Sequence, residues 1–152
     1  MAVNEDGSGK SFKLSRLPAR TRGMHMLHHL SLAVADLKRS GDFYDAALSA
    51  LGYVRVWENN AAIGYGSPGG GDKFAIKLGS HGMAAPGEGF HLAFAAPSRE
   101  AVDGFYQAAL AYGGKDNGGS GLHPEYGEHY YAAFVFDPDG YRIEAVNKDV
   151  PA

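Results

Sequence analysis

HLSLAVADLKRSGDFYDAALSALG (His29–Gly52) and HLAFAAPSREAVDGFYQAALAYGG (His91–Gly114) are the two stretches whose comparison decides the fold. They start 62 residues apart and agree without a gap at nine of 24 positions, where chance would supply roughly one or two. The matches join His29 to His91, Leu30 to Leu92, Phe43-Tyr44 to Phe105-Tyr106, and Ala46-Ala47-Leu48 to Ala108-Ala109-Leu110. The chain is a duplication, so each unit can be read with the help of the other.

Each copy opens with a period-two stretch, His28 to Ala35 and Phe90 to Ala96, which reads as a strand. Asp36 and Ser98 then offer side-chain oxygens to the orphan amides of a helix start. Leu37, Phe43, Tyr44, Ala47, Leu48 and Leu51 form one apolar stripe, and Val102, Phe105, Ala109 and Leu110 form its counterpart. Gly52 and Gly114 are expected to carry the chain out of the helices in a left-handed conformation. Three strands should complete each unit: Tyr53 to Glu58, Ala61 to Tyr65 and Lys73 to Leu78 in the first, and in the second a weakly marked strand after Gly114 followed by Tyr130 to Phe136 and Tyr141 to Val146. Asp137-Pro138-Asp139-Gly140 is a hairpin signal, with Pro138 presetting the turn and Gly140 accepting positive φ. The expected fold is α+β: two βαβββ units, about residues 28–79 and 90–147, whose curled mixed sheets surround a concave site. They occupy a single domain over residues 24–152, preceded by a polar extension over residues 1–23.

The 152 residues are 45% hydrophobic and 20% charged, ordinary for one globular domain. A net charge of −3 lacks the basic footprint of a nucleic-acid or anionic-membrane partner. No stretch is long and apolar enough to span a bilayer, and the expected compartment is the cytoplasm. With no cysteine, disulfides and thiolate metal sites are excluded. Any metal must use histidine, carboxylate or water.

Alternation selects what faces away from the helices. Leu30, Leu32 and Val34 pack inward, leaving His29, Ser31 and Ala33 on the open face, and Phe90, Leu92 and Phe94 do the same for His91, Ala93 and Ala95. Lys77 and Glu144 occupy corresponding open-face positions in the last strands of the two units. Two histidines, a lysine and a glutamate should thus line one concavity, with small neighbours leaving room. The segment Leu122 to Tyr131 concentrates polar and aromatic side chains, and Tyr126 and Tyr131 are expected substrate contacts. His25 and His28 read as structural or solvent-exposed, and His81, His123 and His129 lie in glycine-rich connections where solvent exposure is expected.

Residues His28 to Asn147 resemble the vicinal oxygen chelate superfamily, which holds glyoxalase I, extradiol dioxygenases and bleomycin-type resistance proteins. The carrying motifs are His28-His29-Leu30-Ser31-Leu32, Phe43-Tyr44, His91-Leu92-Ala93-Phe94, and Tyr130 to Gly140 followed by Ile143-Glu144-Ala145-Val146. The resemblance implies a divalent cation, whether iron, manganese, nickel or zinc, held by His29, His91 and Glu144, with Glu144 also available for a catalytic base role. Lys77 stands where glyoxalase I has a second carboxylate, and an ammonium cannot ligate a cation. Two histidines and one carboxylate leave coordination positions open for substrate or oxygen.

The implied function is a metal-dependent enzyme acting on a small molecule with vicinal oxygens, in a homodimer. Lys77 would then meet an anionic substrate. The alternative is a metal-free protein that binds or sequesters a drug or metabolite, with Lys77 paired to Glu144.

Overall fold

The computed structural model of the chain describes residues 26–80 and 85–152. The extension over residues 1–23, His25 and His81 lie outside them. The first unit runs β1 (Leu30–Val34), α1 (Leu37–Ser49), β2 (Val54–Glu58), β3 (Ala62–Gly66) and β4 (Phe74–Leu78). The second runs β5 (Leu92–Ala95), α2 (Arg99–Ala111), β6 (Lys115–Asp116), β7 (Gly121–Leu122), β8 (Tyr131–Phe136) and β9 (Arg142–Asn147). The first sheet has the order β1-β4-β3-β2 and the second β5-β9-β8-β6, with β7 also paired to β8. In each, the opening strand lies parallel to the last and the remaining pairs are antiparallel. The duplicated α+β arrangement is therefore present. The strand expected after Gly114 is split into two fragments, because Asn117 to Ser120 bend away between them.

Both helices begin at the expected caps: Asp36 accepts from the Arg39 amide at 2.9 Å and Ser98 from the Ala101 amide at 3.1 Å. Phe43, Tyr44, Ala47 and Leu48 are buried from α1, as are Val102, Phe105 and Ala109 from α2. Leu110 departs from the expected stripe at 39% exposure, since one step of about 100° beyond Ala109 carries it off the packed face. The left-handed exit also differs between the units. Gly52 has φ +88, but in the second unit Gly113 takes that role at φ +96. Gly114 is small for another reason: a Cβ there would stand 2.7 Å from both the Ala109 carbonyl oxygen and the Phe43 ring.

The units are stapled side by side. Tyr53 of the first unit donates to the Ala95 carbonyl of β5 at 2.9 Å, and Tyr141 of the second donates to the Ala33 carbonyl of β1 at 2.7 Å. The Asp137–Gly140 turn, with Gly140 at φ +90, docks on the start of α1. There Asp139 accepts from Arg39, Ser40 Oγ and the Ala35 amide. The helices pack on each other and on one face of their sheets, leaving Ser31, Ala33, Lys77, Ala93 and Ala95 exposed on the opposite face. Among the described residues, no helix is long and apolar enough to cross a membrane.

Candidate functional site

Glu144 lies on β9, flanked by Ala93 of β5 and Phe134 of β8. Alternation along β9 turns Ile143, Ala145 and Asn147 toward the helix side, where the Asn147 amide donates to the Ala96 carbonyl at 2.9 Å. Arg142 and Glu144 take the other face and line one cavity. The Glu144 side chain is nevertheless only 1% exposed. Its Oε1 accepts from the Tyr130 hydroxyl, and its Oε2 lies 3.2 Å from His91 Nε2. Burial, reinforced by the hydrogen bond to Glu144, pushes the Tyr130 phenol up to about 12. Tyr130 is therefore a proton donor to the carboxylate at physiological pH. His91, by contrast, is 57% exposed and offers its ring to solvent or ligand.

These groups open into a cavity of about 420 Å³ walled by Tyr126, Tyr130 and Phe134, with Asn117 and Arg142 at its polar margin. Tyr126 meets Tyr130 edge to face, and His123 stacks on Tyr126 while lying T-shaped to Phe134. His123 Nδ1 also lies 3.1 Å from Glu125. The aromatic connection before β8 thus forms a wall of the cavity, and His123, expected in solvent, helps to brace it.

The remaining expected site residues are placed differently. His29 immediately precedes β1, lies 2.8 Å from His28 between Nδ1 atoms, and lines a second cavity of about 470 Å³ with Tyr53, Lys73 and Phe94. No lining residue is common to the two cavities. Within one chain His29 does not join His91 and Glu144, and among the described residues no three histidine or carboxylate groups gather around a common point. Lys77 is exposed and lines neither cavity, and the alternative pairing with Glu144 is not formed: Lys77 stands on β4 of the first sheet and Glu144 on β9 of the second, where it meets Tyr130 and His91. Tyr131 turns to the helix side, where it donates to Asp103 at 2.7 Å beneath the Arg99 guanidinium. Its neighbour Tyr130 lines the cavity instead, beside the expected Tyr126. That residue was legible in principle: Phe134 lies opposite Glu144 across the hairpin, and counting back by twos from Phe134 reaches Tyr130.

As a fit test for a cation, the 3.2 Å between His91 Nε2 and Glu144 Oε2 is informative. Two donors about 2.1 Å from one ion and roughly at right angles are separated by about 3 Å. This pair fits two adjacent coordination positions of one ion. Further ligands must come from solvent, substrate or a second chain.

A family model described as the Glyoxalase/Bleomycin resistance protein/Dioxygenase superfamily matches residues 26–145. No curated protein matches the chain. Among solved structures, a glyoxalase/bleomycin resistance protein from Albidiferax ferrireducens T118 is 34% identical, with a TM-score of 0.70 over 82% of this chain and 100% of that one. A glyoxalase-related enzyme from Fulvimarina pelagi shares the fold at 21% identity, with a TM-score of 0.62 over 81% and 88% of the two chains. A glyoxylase/bleomycin resistance protein/dioxygenase domain from Frankia sp. EAN1pec does so at 18% identity, with a TM-score of 0.61 over 83% and 99%. By sequence match and by fold, this chain belongs to the glyoxalase/bleomycin resistance protein/dioxygenase superfamily.

Proposed function

We propose that the chain is a divalent-metal-dependent enzyme acting on a small molecule with vicinal oxygens, its site completed in a homodimer by His29 of one copy with His91 and Glu144 of the other. The observation that carries this reading is the His91–Glu144 pair: a buried carboxylate and an exposed imidazole at ligand spacing, opening into a cavity of substrate size. The exposed, helix-free faces of both sheets supply the place for a second copy.

A bound cation would act as a Lewis acid, stabilising negative charge that develops on the substrate oxygens. The protein's own contributions follow from its contacts. Tyr130 holds Glu144 Oε1 by donating to it, so Oε2 is the oxygen presented to a ligand. A proton removed from substrate carbon or oxygen would be received at that same Oε2. Tyr126, Tyr130 and Phe134 exclude water from one side of the substrate, and Ala93 next to Glu144 leaves the other side open.

Protein purified without chelators or a histidine tag should retain about one iron, manganese, nickel or zinc ion per chain after desalting, with an upward shift in thermal midpoint. Glu144→Gln and His91→Ala should lose that retention. No retained ion and no thermal shift with any of the four metals would refute the reading. One observation favours metal-free binding instead: both Glu144 oxygens are already partnered within the chain. On that reading Glu144→Gln leaves ligand affinity nearly unchanged.

A further inference from the structure

Arg142 lines the same cavity as Glu144, two residues earlier on the same face of β9. Its guanidinium lies over the Phe136 ring, 5.5 Å from the centroid, and among the described residues it has no carboxylate partner. Strand pairing explains the placement. Arg142 is opposite Phe136 and Phe136 is opposite Lys115, so these three share one row across the open face. Glu144 and Phe134 form the next row, about 7 Å along the strands. Asn117, whose amide donates to the Phe134 carbonyl at 3.0 Å, closes that row at the cavity margin. A planar cation lying over an aromatic ring at the margin of an aromatic-walled cavity is prepared for a planar anion.

We infer that this cavity takes an aryl carboxylate whose carboxylate is held by Arg142 while its vicinal oxygens face His91 and Glu144. The inference rests on the function proposed above and adds the substrate class. Separation along β9 suits a six-membered ring carrying the carboxylate opposite its adjacent oxygens, and Tyr126, Tyr130 and Phe134 supply faces and edges for that ring. A singly charged group suits the site better than a phosphate monoester, because the Glu144 carboxylate, one row along the same face of β9, repels additional negative charge. Lys115, exposed at the far end of the row, draws the anion toward Arg142 without contacting the reacting end.

The test compares 3,4-dihydroxybenzoate with 3,4-dihydroxybenzamide by calorimetric titration of the full chain, with zinc and after chelation. The expected result is at least tenfold tighter binding of the carboxylate, with the Arg142 side-chain NMR signal shifting on titration. Arg142→Gln should bring the two probes within about twofold. Arg142→Lys should keep part of the preference, which guards against a merely structural loss. Equal affinities in the unsubstituted protein, no saturable carboxylate binding, or an undiminished preference in Arg142→Gln would each overturn the inference. A carboxylate preference without metal retention removes only the metal-dependent function. Metal retention with equal probe affinities removes only the role of Arg142.

Discussion

The Tyr44 hydroxyl donates to Asp137 Oδ2 across 2.6 Å, joining the helix of the first unit to the hairpin turn of the second in a fully buried contact. Asp137 Oδ1 meanwhile accepts the amides of Asp139 and Tyr141, each at 2.9 Å, so every lone-pair direction toward the turn is used. Tyr44→Phe leaves a buried carboxylate oxygen without its donor and should cost about 1–3 kcal/mol in denaturant unfolding. The doubly substituted Tyr44→Phe/Asp137→Asn protein should recover part of that loss. Strict additivity of the two substitutions would show that the hydroxyl and carboxylate do not act as a pair.

Asp137 also sets a pH dependence. Burial pushes its carboxyl above the ordinary value, outweighing the hydrogen bonds from Tyr44 and the turn amides that pull it down. The folded protein thus retains a proton at pH values where the unfolded chain has released it. This contribution to stability is complete below the unfolded value and fades as pH rises through the folded one. Subtracting the unfolding free energies of Asp137→Asn from those of the unsubstituted protein between pH 3 and pH 7 should give a difference that falls with rising pH. A difference that rises with pH would mean that the hydrogen bonds dominate.

Gly52 and Gly114 should fail differently when given a side chain. At Gly52 there is open space but a positive φ, so Gly52→Ala should cost about 1–2 kcal/mol and Gly52→Asn less. At Gly114 a Cβ would press on backbone and on Phe43, so alanine should cost about 1–3 kcal/mol and asparagine should bring no relief. Equal responses at the two sites would refute the distinction drawn between conformational and steric need.

Sequence pattern reached most of the fold because duplication and alternation are local signals. His29 and His91 mark equivalent positions, Asp36 and Ser98 cap as expected, and Asp137–Gly140 makes its turn. What escaped depends on contacts between distant segments. Gly114 answers to Phe43, and Leu110 depends on where helix packing ends. Tyr130 rather than Tyr131 entered the cavity because the hairpin register, not the tyrosine content of the segment, assigns the face. Whether β1 and β5 carry their histidines to one point is settled by how whole sheets associate, and alternation within a strand carries no information about that.

Tyr130 connects stability to ligand retention. Tyr130→Phe removes the donor to Glu144 Oε1 while keeping the ring that packs against Tyr126. In metal-free protein the buried oxygen loses its partner, and stability should fall by about 1–3 kcal/mol. In loaded protein, loss of a group that orients a ligating carboxylate should weaken metal binding about 10- to 100-fold. Competition against a fluorescent chelator measures the second effect, and unchanged affinity would mean that Tyr130 serves the fold alone.

If His29 of one copy completes the site of the other, His29→Ala and His91→Ala homodimers each lack every intact site. A heterodimer of the two variants contains one site with both histidines missing and one with both present. Random exchange of equal amounts, by coexpression or joint refolding, should therefore restore about a quarter of the metal content of the unsubstituted protein, from two preparations that separately hold none. Closure within a single chain predicts no recovery, because every chain in the mixture lacks one of its own histidines. Metal analysis of the mixture beside each parent separates the two outcomes, and size-exclusion chromatography of the same samples establishes that subunits have exchanged.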